Sequence, residues 1–312
     1  MQRVAWRLLP CLGLLYIINF LDRVNVGFAA LQMNHDLGFT ASVYGLGAGI
    51  FFIGYFLVEI PSNLALARFG ARRWIARIMI SWGVVSAATA WAHDATTFFA
   101  LRFLLGVCEA GLVPGVFLYM TYWFPPEDRA KATSLFLAAT TVSIIIGGPV
   151  STGILSLGDM MGLRAWQWLF ILEGIPAVLI GFWVFFYLTD RPQDAKWLTQ
   201  PQRDWLAARL STEDTRKIQH GISGLWPALR SGKVWGLSAI EFCIGLAIYG
   251  LALWLPQIVK QLTGVTILNV GFIAAAPFVF AASRWSSSAS IPIARVSGAG
   301  ISRFRQRLAP PG

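Results

Sequence analysis

Two sets of polar and charged residues fall inside runs apolar enough to cross a bilayer: Asn19, Asp22 and Arg23 near the N-terminus, and Arg102 with Glu109 further along. A charged side chain at the bilayer centre costs at least about 2.5–3.5 kcal/mol, so such residues are expected to mark a pathway or to pair with one another. The guanidinium fork of arginine matches a carboxylate in bidentate geometry. A desolvated acid beside it can couple its own protonation to whether that arginine is free. The chemistry that fits these residue types is capture of an anion coupled to movement of a proton.

On a helix, Tyr16, Asn19 and Arg23 share one face, with Asp22 about 100° round from Arg23. Arg102 and Glu109 also share a face, but lie about 10 Å apart along the axis and cannot pair tightly within one straight helix. Asp22 and Glu109 come out at similar depth, so the two polar faces are expected to meet across one cavity. Two plainer readings stay open. Asp22–Arg23 and Arg102–Glu109 can be helix-to-helix ion pairs that only hold a bundle together, although buried pairs add little net stability. Arg102, close to a helix end, can instead snorkel to the interface. Glu59, Glu173 and Glu241 are weaker leads, since each sits where a loop cation or a helix terminus can neutralise it.

The elements that position these residues follow from hydropathy. A chain of 312 residues that is 56% hydrophobic and 13% charged, with mean hydropathy +0.61, departs from soluble composition toward an all-α integral membrane protein. Runs of about 20 apolar residues predict eight spans, near 8–30, 41–66, 75–92, 97–122, 132–157, 166–188, 234–256 and 267–283. Lys and Arg alternate between loops. Arg3 and Arg7 precede the first span, Arg68, Arg72, Arg73 and Arg77 follow the second, Arg129 and Lys131 follow the fourth, and a basic run from Arg191 to Lys233 follows the sixth. Only Arg164 and Lys260 break the alternation, which places the N-terminus and the 189–233 segment in the cytoplasm. That segment is the one real linker. Thr199-Gln200-Pro201-Gln202 opens a short amphipathic helix through Trp205, Leu206 and Leu210. Gly45, Gly47, Gly49, Gly54, Gly106, Gly111 and Gly115 are expected to allow close helix packing.

Other classes fare poorly. The formal charge of +10 is carried mainly by short loops, so orientation rather than nucleic-acid binding accounts for it. Cys11, Cys108 and Cys243 lie in spans and imply no disulfide framework. His35, His93 and His220 lie in loops, leaving no base at membrane depth for a hydrolase. Gly221-Ile222-Ser223-Gly224 resembles a protease signature only as a string. No metal-ligand cluster and no phosphate-binding loop is present, so neither a metal nor another cofactor is expected, and the chain is not read as an enzyme.

Several motifs together resemble the anion:cation symporter branch of the major facilitator superfamily. They are Tyr16 to Asn25, Gly54-Tyr55 with Pro61-Ser62-Asn63, Phe69-Gly70-Ala71-Arg72-Arg73-Trp74, Arg102 to Gly111 with Pro114-Gly115, and Trp123-Phe124-Pro125 before Arg129-Ala130. The resemblance covers about residues 8 to 282. It implies proton-coupled symport of an organic anion, such as a sugar acid, tartrate or an aromatic carboxylate, across the inner (plasma) membrane by rocking of two helical lobes, with no oligomer required. Residue by residue, it implies that Arg23 and Arg102 bind the anion, with Tyr55, Asn19 and Tyr16 lining its cavity. Asp22 and Glu109 would carry the proton, and Gly70, Arg72 and Arg73 would form a gating loop. The superfamily's acidic loop position falls on Ala67, which departs from the pattern.

The same resemblance implies twelve helices in two lobes. The chain divides into a six-helix lobe at 1–188, the linker at 189–233, two helices of a second lobe at 234–283 and a basic tail at 284–312. The tail holds five arginines, seven serines and no acid from Ser283 onward, and is expected to be a frameshifted or truncated reading frame, or else a basic membrane-surface tail. Eight helices alone are not expected to alternate access, so the alternative to a working symporter is a non-transporting remnant or membrane interaction protein of the same ancestry.

Overall fold

A computed structural model describes residues 1–219 and 229–288, with side chains described outside 212–228 and 281–288. The helices are α1 (Gln2–Asp36), α2 (Ala41–Phe69), α3 (Ala71–Ala88), α4 (Ala95–Glu109), α5 (Leu112–Thr121), α6 (Pro126–Ser156), α7 (Ala165–Tyr187), α8 (Gln200–Gln219), α9 (Gly232–Thr263) and α10 (Ile267–Ser288). A helix stands at each of the eight expected spans, extended at most ends. Among the described residues, six are long and apolar enough to cross a membrane on their own: α1, α2, α4 with α5, α6, α7 and α9. In α3 the first two turns carry Arg72, Arg73 and Arg77, and the side chains of α10 are described only as far as Phe280. The helix of α10 also runs past the composition change at Ser283. The Gly221-Ile222-Ser223-Gly224 string, His220 and the tail from residue 289 lie outside the described residues.

The bundle is built on close pairs: α3 with α7, α2 with α4, and α6 with both α1 and α10. Lipid tails are as apolar as leucine, so tight packing rather than the hydrophobic effect must hold such helices together. Glycines supply it. A Cβ on Gly83 would lie 2.7 Å from the Gly174 carbonyl of α7, and one on Gly174 would lie as close to Gly83. A Cβ on Gly106 of α4 would overlap the Phe51 carbonyl of α2. Gly49, by contrast, faces open space. Ile75, Ile78, Met79 and Trp82 put α3 at the centre of the core despite its basic start.

The fourth span differs from expectation in being broken. Gly111 stands at φ +90°, where L side chains are strained, and it separates α4 from α5. The Ala110 carbonyl freed by the break accepts a 2.7 Å bond from the Ser62 hydroxyl, which itself accepts from the Trp74 indole at 3.0 Å. Ser62 is thus the device that lets a buried helix end survive in an apolar interior.

Loops gather at two ends. At the basic end, the Arg7 guanidinium stacks over Tyr187 and Trp197, Arg191 lies over Tyr122, and Arg209 pairs with Glu127. At the other end the Trp166 indole donates to Asp36 at 3.0 Å, and Arg164 pairs with Asp159. The linker helix α8 begins as expected, with Gln202 accepting from the Thr199 N–H at 3.2 Å, and it packs through Leu206 and Leu210 while Trp205 stays half exposed. Near the non-basic end α9 seats on α1 and α2. Tyr44 donates to the Leu253 carbonyl at 2.8 Å, and the Ala252 and Leu253 backbones press directly against Gly27. Toward the basic end a groove of about 950 Å³ runs between α1 and α6, walled by Pro10, Gly13, Leu14, Ile17, Leu135 and Val142.

Candidate functional site

The break after α4 fixes Glu109 at the last helical position of that element, facing α1. Its Oε1 accepts from the Arg23 Nε at 2.9 Å, from the Arg23 Nη2 as an ion pair, and from the Asn19 amide at 2.6 Å. The Asn19 and Arg23 spacing of four residues on α1 delivers both donors to one oxygen, as their shared face predicted. Arg23 Nη1 donates in turn to the Tyr249 hydroxyl of α9 at 2.6 Å, and its guanidinium lies 4.9 Å from the Tyr55 ring centroid. Four helices meet at this arginine. Glu109 is fully buried and Arg23 8% exposed, while Tyr55 and Tyr249 are half-buried.

Arg102 is also buried, at 1% exposure, so it does not snorkel. The reason is its direction: it points inward over Phe51, 4.9 Å from the ring centroid, and Arg23 approaches the same ring at 5.6 Å. Its Nε and Nη1 have no hydrogen-bond partner, and neither does Glu109 Oε2. A buried guanidinium edge with unmet donors is an anion-accepting surface.

Asp22 takes its hydrogen bonds away from Glu109. Lying about a quarter turn from Arg23, it faces α3 instead, where it accepts from the Ser86 hydroxyl and, at 3.3 Å, from the Asn25 amide. The pairs of the plainer reading, Asp22–Arg23 and Arg102–Glu109, are not seen among the described residues; the observed pair crosses between them as Arg23–Glu109. Tyr16 packs edge-on against Phe136 at 4.9 Å on the same side of α1. Gly70, Arg72 and Arg73 lie at the basic end. There Gly70 has φ +90° and the Asp190 carboxylate accepts from the Arg72 N–H at 2.8 Å, capping α3. Glu173 lies well inside α7, 6% exposed, and accepts from Ser151 at 2.7 Å, while Glu241 is exposed on α9. Sequence reasoning missed Ser86 and Asp190, which are ordinary polar residues on a helix and in a loop. Only the neighbours they meet single them out. Among the described residues no group of three or more His, Cys, Asp or Glu side chains is placed to hold a metal ion, and all three cysteines are free.

The Major Facilitator Superfamily profile matches residues 12–304. The chain belongs to the Major Facilitator Superfamily. Among curated members, it is 48% identical over 281 residues to a putative tartrate transporter of Agrobacterium vitis, an alignment covering 90% of this chain and 64% of that protein. It is 42% identical over 309 residues to the putative metabolite transport protein NicT of Pseudomonas putida, covering 98% and 68%. The chain thus spans somewhat less than two thirds of the length of the tartrate transporter it matches. A solved superfamily structure, an inward-facing and unoccupied bacterial homolog of the human lysosomal transporter Spinster, superposes with TM-score 0.71 over 91% of this chain and 61% of that one. At 19% identity it speaks for the fold alone. This superfamily fold accounts for the all-helical, membrane-embedded architecture.

Proposed function

We propose that this superfamily chain is the anion-binding portion of a proton-coupled organic-anion symporter, working by alternating access in the inner membrane with its N-terminus in the cytoplasm. The observation that carries the reading is the pair of buried arginines that approach the one Phe51 ring. One is held by Glu109, and the other keeps two N–H donors unmet. A dicarboxylate or sugar acid entering between them would satisfy the Arg102 edge and compete with Glu109 for Arg23. Protonation of Glu109 weakens that competitor, which links anion capture to a proton. Asn19, Tyr55 and Tyr16 line the approach, Asp22 contributes a second proton position, and the Gly70, Arg72 and Arg73 turn acts as a gate.

The likeness to putative tartrate and metabolite transporters supports a small carboxylate as substrate. The state pictured fits an inward-facing one, with α9 seated on α1 and α2 at the outer end and a groove between α1 and α6 at the basic end. In this reading residues 1–188 form one lobe, 189–233 the connection, 234–283 two helices of a second lobe, and 284–312 a basic extension.

The test is tartrate binding to the purified chain in lipid nanodiscs, followed by intrinsic tryptophan fluorescence. Saturable binding that Arg102→Gln weakens at least tenfold, about 1.4 kcal/mol, supports the reading, and binding indifferent to both Arg23→Gln and Arg102→Gln refutes it.

A further inference from the structure

The groove between α1 and α6 at the basic end contains neither arginine of the anion site. Along α1 its wall runs from Gln2 to Ile17, and along α6 from Asp128 to Val142. At 1.5 Å per residue these stretches are about 22 Å and about 21 Å long. Half of a bilayer with its headgroups is about 20–22 Å thick, so the groove spans one leaflet from its surface to the midplane.

Polarity changes sharply along that length. Beyond Trp6, neither the walls nor the floor of Gly13, Ala138 and Ala139 offers a side-chain donor or acceptor. Water settles in a cavity only where polar partners surround it, so this part of the groove suits hydrocarbon. The mouth is different, because it carries both signs of charge. Lys131, exposed, and Asp128, half-buried, stand about one turn apart on α6 and line it together with Gln2. Among the described residues neither is held in an ion pair, whereas the neighbouring Glu127 is held by Arg209. Trp6, 74% exposed, stands on the rim one turn further in, where an indole bridges headgroup and hydrocarbon.

We propose that the groove seats one phospholipid of the leaflet at the basic end, with a headgroup that carries both a phosphate and a primary ammonium, as in phosphatidylethanolamine. Its acyl chain lies over Gly13 and Ala138, Lys131 donates to the phosphate, and Asp128 accepts from the ammonium. The charge pair selects the headgroup. A primary ammonium brings three N–H donors to a carboxylate, a quaternary choline brings none, and a glycerol headgroup leaves Asp128 without a cation. None of these residues belongs to the proposed transport machinery, so the seat stands or falls apart from the anion reading.

Native mass spectrometry tests the proposal on the full chain, released from detergent micelles that hold equal amounts of phosphatidylethanolamine, phosphatidylcholine and phosphatidylglycerol. One phosphatidylethanolamine retained per chain, in preference to the other two, is the expected result. Lys131→Gln should weaken retention about fivefold, the effect of one basic side chain at a membrane surface. Asp128→Asn should erase the preference over phosphatidylglycerol. A Cβ on Gly13 would meet Ala139 at 4.0 Å, an ordinary contact, so Gly13→Phe builds a ring into the groove and should displace the lipid. Leu135→Trp, from an exposed position on the α6 wall, serves if the glycine variant does not fold. Retention unchanged in a folded blocking variant, equal retention of the three lipids, or a preference for phosphatidylglycerol overturns the proposal. So does a dimer of the chain that the blocking variant dissociates, which would make the groove a seat for a second copy.

Discussion

Glu109→Gln isolates the charge of the central pair, because the amide keeps an acceptor oxygen for Asn19 and Arg23 and removes only the negative charge. Arg23 then retains the Tyr249 hydroxyl and the Tyr55 face. It loses its ion-pair partner, for Asp22 and Glu173 are turned toward Ser86 and Ser151. Breaking a buried pair on one side costs about 3–5 kcal/mol, and the retained hydrogen bonds place this change at the lower end, near 3 kcal/mol. Removing both charges should cost less, since a neutral pair leaves no stranded ion. The double variant Arg23→Gln with Glu109→Gln is therefore expected to be at least about 1 kcal/mol more stable than Glu109→Gln alone. Denaturant-driven unfolding in mixed micelles, read by tryptophan fluorescence, supplies the cycle. Equal stability of the single and double variants would show that Arg23 finds compensation elsewhere and would refute the reasoning.

Four further outcomes follow from local geometry. Ser62→Ala strips partners from the buried Ala110 carbonyl and the Trp74 indole and should cost about 1–3 kcal/mol. Gly111→Ala should cost more, because φ +90° is strained by about 1–2 kcal/mol and its Cβ would overlap Ser62; the same unfolding assay ranks the two. Asp190→Ala removes the cap of α3, and faster hydrogen exchange at the Arg72 amide should accompany a loss of about 1 kcal/mol. Asp94, which caps α4, is held below the usual carboxylate range by the Thr97 N–H and then by the Thr97 hydroxyl. A depressed acid contributes its stability fully above the unfolded value of about 4 and loses it as pH falls through the folded value. Exchange at the first turn of α4 should therefore quicken only below about pH 4, and Asp94→Asn should flatten that dependence.

Hydropathy made the eight helices legible because a bilayer demands long apolar runs, and residue spacing on α1 correctly aimed Asn19 and Arg23 at one target. Which target that was depended on the order of helices around α1, which spacing along a single helix does not contain. Asp22 and Arg23 are adjacent in sequence, yet a turn of about 100° sends them to α3 and α4 respectively. The break at Gly111 was hidden for a similar reason. A glycine in an apolar span reads as a packing position, and only the Ser62 bond to Ala110 shows that it ends a helix. The arginines of α3 diluted its apolar signal, although its later turns lie at the centre of the core.

The seating of α9 has a consequence for how such a protein can change over generations. Where it meets α1 it presents main chain to a glycine, and where it meets α2 the Tyr44 hydroxyl reaches a main-chain oxygen. Main chain is the same whatever residue carries it, so the docking is blind to the side chains at positions 252 and 253. One turn away Tyr249 touches Arg23 directly. Substitutions along α9 can therefore retune what surrounds that arginine while the helix keeps its berth.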